Sequence, residues 1–213
     1  MRYFSFLLLL ALFSCASQPA KVVETKSKSY QVSEENVIKT LSYLTSDELE
    51  GRDSGSEGIE KAAVFLEDLL KENGIKPYFK TYRDTLSNYD KPSYNVVGFL
   101  EGTDSKLKNE FVIIGAHYDH IGRIKAVNGD DIGNGANDNA SGTTAVTEVA
   151  KYFAKFRNNK RSVLFVFFSA EEKGLLGSKH LASKLKDQNS HYLPINTYEL
   201  YTNKALVQNP FYK

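Results

Sequence analysis

Cysteine is almost missing from this chain: Cys15 is the single one in 213 residues. An intramolecular disulfide and a thiolate-built metal site are both excluded on that count. Basic excess is missing too. The 27 Lys and Arg stand against 26 Asp and Glu, giving a formal net charge of +1. No stripe of Lys and Arg forms, so nucleic acid is not an expected partner. The apolar run at residues 6–13 is too short to cross a bilayer as a stable helix. Tryptophan is absent, which decides nothing about chemistry. No histidine follows His191, and neither an internal repeat nor a second domain is visible.

What is present allows one α/β domain. Hydrophobic residues make up 41% and charged residues 25%, enough for an ordinary core and unlike a disordered chain. At the N-terminus Arg2 precedes the apolar run, which ends in Leu12-Phe13-Ser14-Cys15. This resembles a bacterial lipobox, with Cys15 as the first mature, lipid-carrying residue. Residues 1–14 are then expected to be a signal peptide of lipoprotein type, and the polar residues 15–32 a flexible tether. The folded domain is expected over 33–213. Such a protein is exported and anchored to a membrane through Cys15, in the periplasm or at the cell surface. Losing residues 1–14 also removes Arg2, so the mature chain is near neutral.

Hydrophobic spacing outlines the elements. Ser33 caps a helix with Val37, Ile38, Leu41 and Leu44 on its face, and Glu34 and Glu35 in its first turn. The segment Leu49-Glu50-Gly51-Arg52-Asp53-Ser54-Gly55 breaks it. A second helix over 57–73 has Ile59, Ala62, Ala63, Leu66, Leu69 and Leu70 on one face, and Gly74 as its stop. Residues 78–101 alternate around a loop at 87–92, as two strands would. A buried strand at 111–116, a glycine-rich loop to Gly135, a helix over 143–156 and a strand at 162–168 then follow. The order strand, helix, strand makes a parallel βαβ unit, with a further helix over 174–185.

The polar residues fall at instructive places. Ser169-Ala170-Glu171-Glu172 follows a seven-residue apolar run, where two adjacent carboxylates are costly unless a cation or a proton-transfer task compensates them. His117-Tyr118-Asp119 follows another strand, and Asp138 lies on the loop into the intervening helix. Ligands of open parallel sheets bind beyond the carboxyl ends of the strands, so three sequence-distant clusters meet on one rim. Each alone has a plainer explanation. His-x-Asp fits a surface turn, a Glu pair fits a solvated helix start, and Gly135-Ala136-Asn137-Asp138-Asn139 fits a turn. Together they fit hydrolysis at two zinc ions. Imidazole and carboxylate suit zinc, Asp138 can bridge two ions, and Asp119 can orient His117. Glu172 can bind metal while Glu171 takes the proton of an attacking water. His120 is expected only to flank this site, His180 to sit on a helix in a solvated or core position, and His191 to lie in a polar loop.

Three motifs carry a resemblance. Gly115-Ala116-His117-Tyr118-Asp119, Gly135-Ala136-Asn137-Asp138-Asn139-Ala140-Ser141-Gly142 and Ser169-Ala170-Glu171-Glu172-Lys173-Gly174-Leu175-Leu176-Gly177-Ser178 resemble the M28 family of zinc peptidases, chiefly aminopeptidases. Leu49–Gly55 and Asn95-Val96-Val97-Gly98 resemble that family as well, over roughly residues 40–180. The resemblance implies a single domain with a mixed, mainly parallel sheet flanked by helices, of zinc-exopeptidase type. It implies that His117 binds one zinc, Asp138 bridges, Glu172 binds the other zinc, Glu171 is the general base and Asp119 orients His117. It also implies peptide substrates with a free N-terminal residue.

The departure lies near the end. The family pattern supplies an acid 25–30 residues after the Glu pair and a much later histidine. Glu199 is 27 residues beyond Glu172 but stands in Ile195-Asn196-Thr197-Tyr198-Glu199, which matches only loosely, so no role is carried onto it. The match weakens after about residue 190, and a domain incomplete at its C-terminal end is expected. Besides the zinc aminopeptidase, two alternatives stay open: a glutaminyl-cyclase-like activity, and an inactive, lipid-anchored binding module on the same scaffold. The sequence leaves oligomeric state and the preferred N-terminal residue undecided.

Overall fold

The computed structural model describes residues 30–187 and 196–199. Cys15, the expected signal peptide, nearly all of the tether and His191 lie outside the described residues. Among the described residues no helix is long and apolar enough to cross a membrane.

Four α-helices and two sheets frame the described residues: α1 (Glu34–Leu44), α2 (Glu57–Glu72), α3 (Ser141–Phe156), α4 (Leu176–Asp187) and strands β1 (Lys76–Pro77), β2 (Arg83–Thr85), β3 (Tyr94–Leu100), β4 (Phe111–His117), β5 (Arg123–Val127), β6 (Asp130–Ile132), β7 (Ser162–Phe168) and β8 (Asn196–Glu199). The main sheet runs β1-β3-β7-β4-β8, with β2 paired to β3. β4 is parallel to both β7 and β8, while β3 is antiparallel to β7. The expected mixed, mainly parallel sheet flanked by helices is the one observed. Its parallel pair β4 and β7 is joined through α3, the expected βαβ unit.

Every residue of β7 is buried, as a central strand covered on both faces requires. Its side chains alternate between two cores. Val163, Phe165 and Phe167 pack with α1, α2 and α3 through Leu44, Leu66, Leu70, Val146 and Ala150. Leu164, Val166 and Phe168 pack with Leu181 and Leu185 of α4 on the other face. The period of two along the strand thus builds a three-layer sandwich, helices on both sides.

The caps follow the sequence. Ser33 Oγ accepts from the Asn36 amide at 3.3 Å and opens α1, and Ser56 Oγ accepts from Ile59 at 3.3 Å and opens α2. All six expected apolar positions of α2 are buried. Two details differ. Ile38 is 55% exposed, because Leu41 and Leu44 point α1 inward along a narrower stripe than the spacing of four apolar residues suggests. The glycine-rich loop contains an unanticipated hairpin, β5 and β6. Its turn is Asn128-Gly129 with φ of 55° and 92°, the dipeptide that favours tight hairpins.

Gly58 shows how closely α2 seats on the segment before it. A Cβ there would come within 1.9 Å of the Leu49 carbonyl oxygen. Alanine is intrinsically the better helix former by about 1 kcal/mol, but an overlap with rigid backbone costs about 1–3 kcal/mol or more. Gly58→Ala is therefore expected to destabilise the fold, by ~2 kcal/mol in urea unfolding. An unchanged midpoint would show that α2 can shift without cost.

Candidate active site

The carboxyl ends of β4 and β7 are level, His117 pairing with Phe168 in the register. The chains continue from there into the two loops that carry the expected residues. The Tyr118 amide donates to the Phe168 carbonyl at 2.9 Å, extending the pairing one step past the strand end. Thr143 Oγ1, in the first turn of α3, donates to the His117 carbonyl at 2.9 Å. The Gly142 amide, also in that turn, donates to Asn139 Oδ1 at 3.1 Å. Strand end and helix start are thereby held to one another with Asp138 between them in sequence.

All five residues expected at the rim meet. His117 is fully buried, and its Nε2 lies 2.9 Å from Asp138 Oδ1 and 4.0 Å from Glu171 Oε2. Its Nδ1 is 3.2 Å from the Asp119 carbonyl oxygen and 3.7 Å from the Asp119 carboxylate. Main chain and side chain of Asp119 both hold the ring, the main chain more closely. The carboxylate of Asp119 has a second task that the sequence did not show. It accepts from the Glu171 amide at 3.1 Å, the Glu172 amide at 3.3 Å and Ser54 Oγ at 3.0 Å. It therefore ties the Glu171-Glu172 loop to the end of β4.

Two residues were missed. His120, expected only to flank the site, has Nδ1 2.8 Å from Glu172 Oε1. One ligand atom each from His120, Asp138 and Glu172 falls within 4.8 Å of the others. Arg52 is the second. It is 1% exposed, and its guanidinium donates to the Tyr118 carbonyl at 2.9 Å, the Asn134 carbonyl at 2.8 Å, the Gly135 carbonyl at 3.1 Å and the Leu44 carbonyl. One side chain thus fastens both loops that lead to His117 and Asp138. The one sequence hint was a charge set beside a glycine in a segment that breaks a helix. His180 is on α4 as expected, half in a polar cluster with Nε2 3.3 Å from buried Asp84, which Lys184 also meets at 2.6 Å. It takes no part in the rim.

Electrostatics agree with the packing. Burial pulls His117 down, but the hydrogen bond and charge of Asp119, with Glu171 and Asp138, outweigh it and push its pKa up to about 9. A group raised in this way stabilises the fold fully below its unfolded value of 6.5 and stops doing so as pH rises through about 9. At neutral pH the imidazolium offsets the carboxylates around it. A bound dication must displace that proton and then does the same job. Burial lowers Arg52 to about 10, Asp119 and Asp138 opposing the shift, so it stays charged at neutral pH. The donors are imidazole nitrogens and carboxylate oxygens gathered at one point. That set fits a zinc-like dication, which binds both kinds of donor at short range.

The chain is similar to known proteins in sequence and in fold. The pattern of peptidase family M28 matches residues 95–206. The chain belongs to peptidase family M28. This M28 chain is 33% identical over 121 residues to a probable leucine aminopeptidase 2 of Arthroderma benhamiae, a stretch that is 57% of this chain and 21% of that protein. Its structure resembles the LapA aminopeptidase of Legionella pneumophila with a TM-score of 0.58 and 25% identity, covering 78% of this chain and 42% of that one. It also shares its fold with a glutaminyl cyclase of Fimbriiglobus ruber, with a TM-score of 0.61 and 19% identity, covering 82% and 63%. The M28 chain spans about a fifth of the length of the curated relative and under half of the LapA chain.

Removing Arg52 leaves backbone carbonyls in the interior without their donor, each costing about 1–3 kcal/mol when no water reaches it. Arg52→Ala is expected to lower unfolding free energy by ~3–5 kcal/mol in chemical denaturation. A loss under ~1 kcal/mol would show that the two loops hold their places without it.

Proposed function

We propose that this chain is a zinc-dependent aminopeptidase, removing the N-terminal residue of peptides. One observation carries the reading: His117, Asp138, Glu171 and Glu172 converge from three separate loops, with His117 Nε2 2.9 Å from Asp138 and 4.0 Å from Glu171. The name of the relative quoted above supports the same activity, and the family supports peptide substrates.

His117 and Glu172 would each hold a zinc ion and Asp138 would bridge the two. Bound zinc supplies Lewis acidity toward the scissile carbonyl and makes water more acidic. The chain's own groups do the rest. The Asp119 carbonyl and carboxylate fix His117, and Asp119 also fixes the backbone of Glu171, so the base and the ligand share one support. Glu171 takes a proton from water as the water oxygen attacks the carbonyl carbon. It returns that proton to the leaving amine when the C–N bond breaks.

The fold alone does not choose between peptidase and cyclase, since the fold is shared with both. The residues favour the peptidase. Cyclisation at a single zinc has little use for a bridging carboxylate beside a hydrolytic base, and here Asp138 and Glu171 flank the same imidazole nitrogen.

Glu171→Gln keeps the shape of the loop but removes the base. Turnover of an aminoacyl-peptide substrate is expected to fall ~10²–10⁴-fold, the usual contribution of a positioned acid–base group, with zinc content unchanged. If Glu171→Gln loses the metal as well, the two adjacent glutamates have been given each other's roles.

A further inference from the structure

We propose that His120 is itself a metal ligand, holding one cation together with Asp138 and Glu172. This rests on the zinc reading above and adds a residue to it. The structure separates two sets of donors that share Asp138. In one, Asp138 meets His117 Nε2 at 2.9 Å. In the other, one donor atom each from His120, Asp138 and Glu172 lies within 4.8 Å of the rest. Each set contains an imidazole nitrogen. A nitrogen and two carboxylate oxygens are the number of protein ligands that a catalytic zinc site uses while keeping a position open.

A hydrogen bond to Glu172 alone would explain less. Such a pair needs one carboxylate, whereas His120 has two within reach. The ring is also held in place from behind. Its backbone amide donates to the Arg52 carbonyl at 3.1 Å. Gly135, at φ 60°, lies against the ring so closely that a Cβ there would come within 2.6 Å of His120 Cγ and Cδ2 and 2.5 Å of the Asp138 carbonyl oxygen. The same glycine therefore makes room for the imidazole and for the turn that carries Asp138. The side chain is 13% exposed, open enough for an ion to reach it. Arg52 fixes the Gly135 carbonyl as well, so ring, bridging residue and clamp belong to one rigid corner.

The decisive experiment is NMR on the full chain, with ¹⁵N-labelled histidine rings and ¹¹³Cd in place of zinc. Scalar coupling from ¹¹³Cd to ring nitrogens of both His117 and His120 is expected. His120→Gln should weaken cadmium binding by more than ~100-fold, beyond the 10–100-fold typical of a residue that only orients a ligand. Coupling to His117 but not His120 overturns the proposal and leaves the zinc site standing. Coupling to neither ring overturns both. No outcome depends on catalytic activity, and the coupling is read on the unmutated protein.

Discussion

The carboxylate of Asp119 is the contact on which the rest of the rim depends. It is fully buried, a position that is costly for a charge unless donors surround it. Here the donors are the two amides of Glu171 and Glu172, the hydroxyl of Ser54 and, at longer range, the His117 ring. The cost of burial is offset by joining three parts of the chain: the end of β4, the loop after β7 and the segment before α2. The Glu171-Glu172 pair is set in place by its backbone, through the two amides that donate to Asp119.

The sheet explains why these parts can meet. Parallel pairing of β4 and β7 brings their carboxyl ends to one level, and α3 returns the chain so that its start lies at that same end. Arg52 then acts as a pin from below. Its four contacts are all to backbone carbonyls, so it fixes where the loops run without depending on which side chains they carry. Charge balance follows from the same layout. Several carboxylates face one buried imidazole, which raises the His117 pKa to about 9, so that at neutral pH its own proton balances them until a cation displaces it.

Much of this was legible in the sequence, for reasons particular to each element. β7 could be read because a strand buried on both faces must be apolar throughout, and α2 because six of its apolar positions keep helical spacing. His117, Asp138, Glu171 and Glu172 could be read because His117 ends β4, the Glu pair follows β7 and Asp138 precedes α3, all at the ligand-binding edge of a parallel sheet. Arg52 could not, since its partners are carbonyls and carbonyls leave no mark on residue type. Nor could the larger task of Asp119, whose amide partners lie 52 and 53 residues away. The contact of His120 with Glu172 could not be read, because it depends on Gly135 leaving space for the ring. The Asn128-Gly129 hairpin was marked in the sequence but hidden inside a loop that was read only as glycine-rich.

The most direct measurement of the central claim is anomalous X-ray diffraction at the zinc absorption edge from crystals equilibrated with zinc. The account predicts density peaks among His117, Asp138 and Glu172, with Asp138 touching each ion bound there. Zinc-equilibrated crystals without a peak within coordinating distance of these three residues would contradict it.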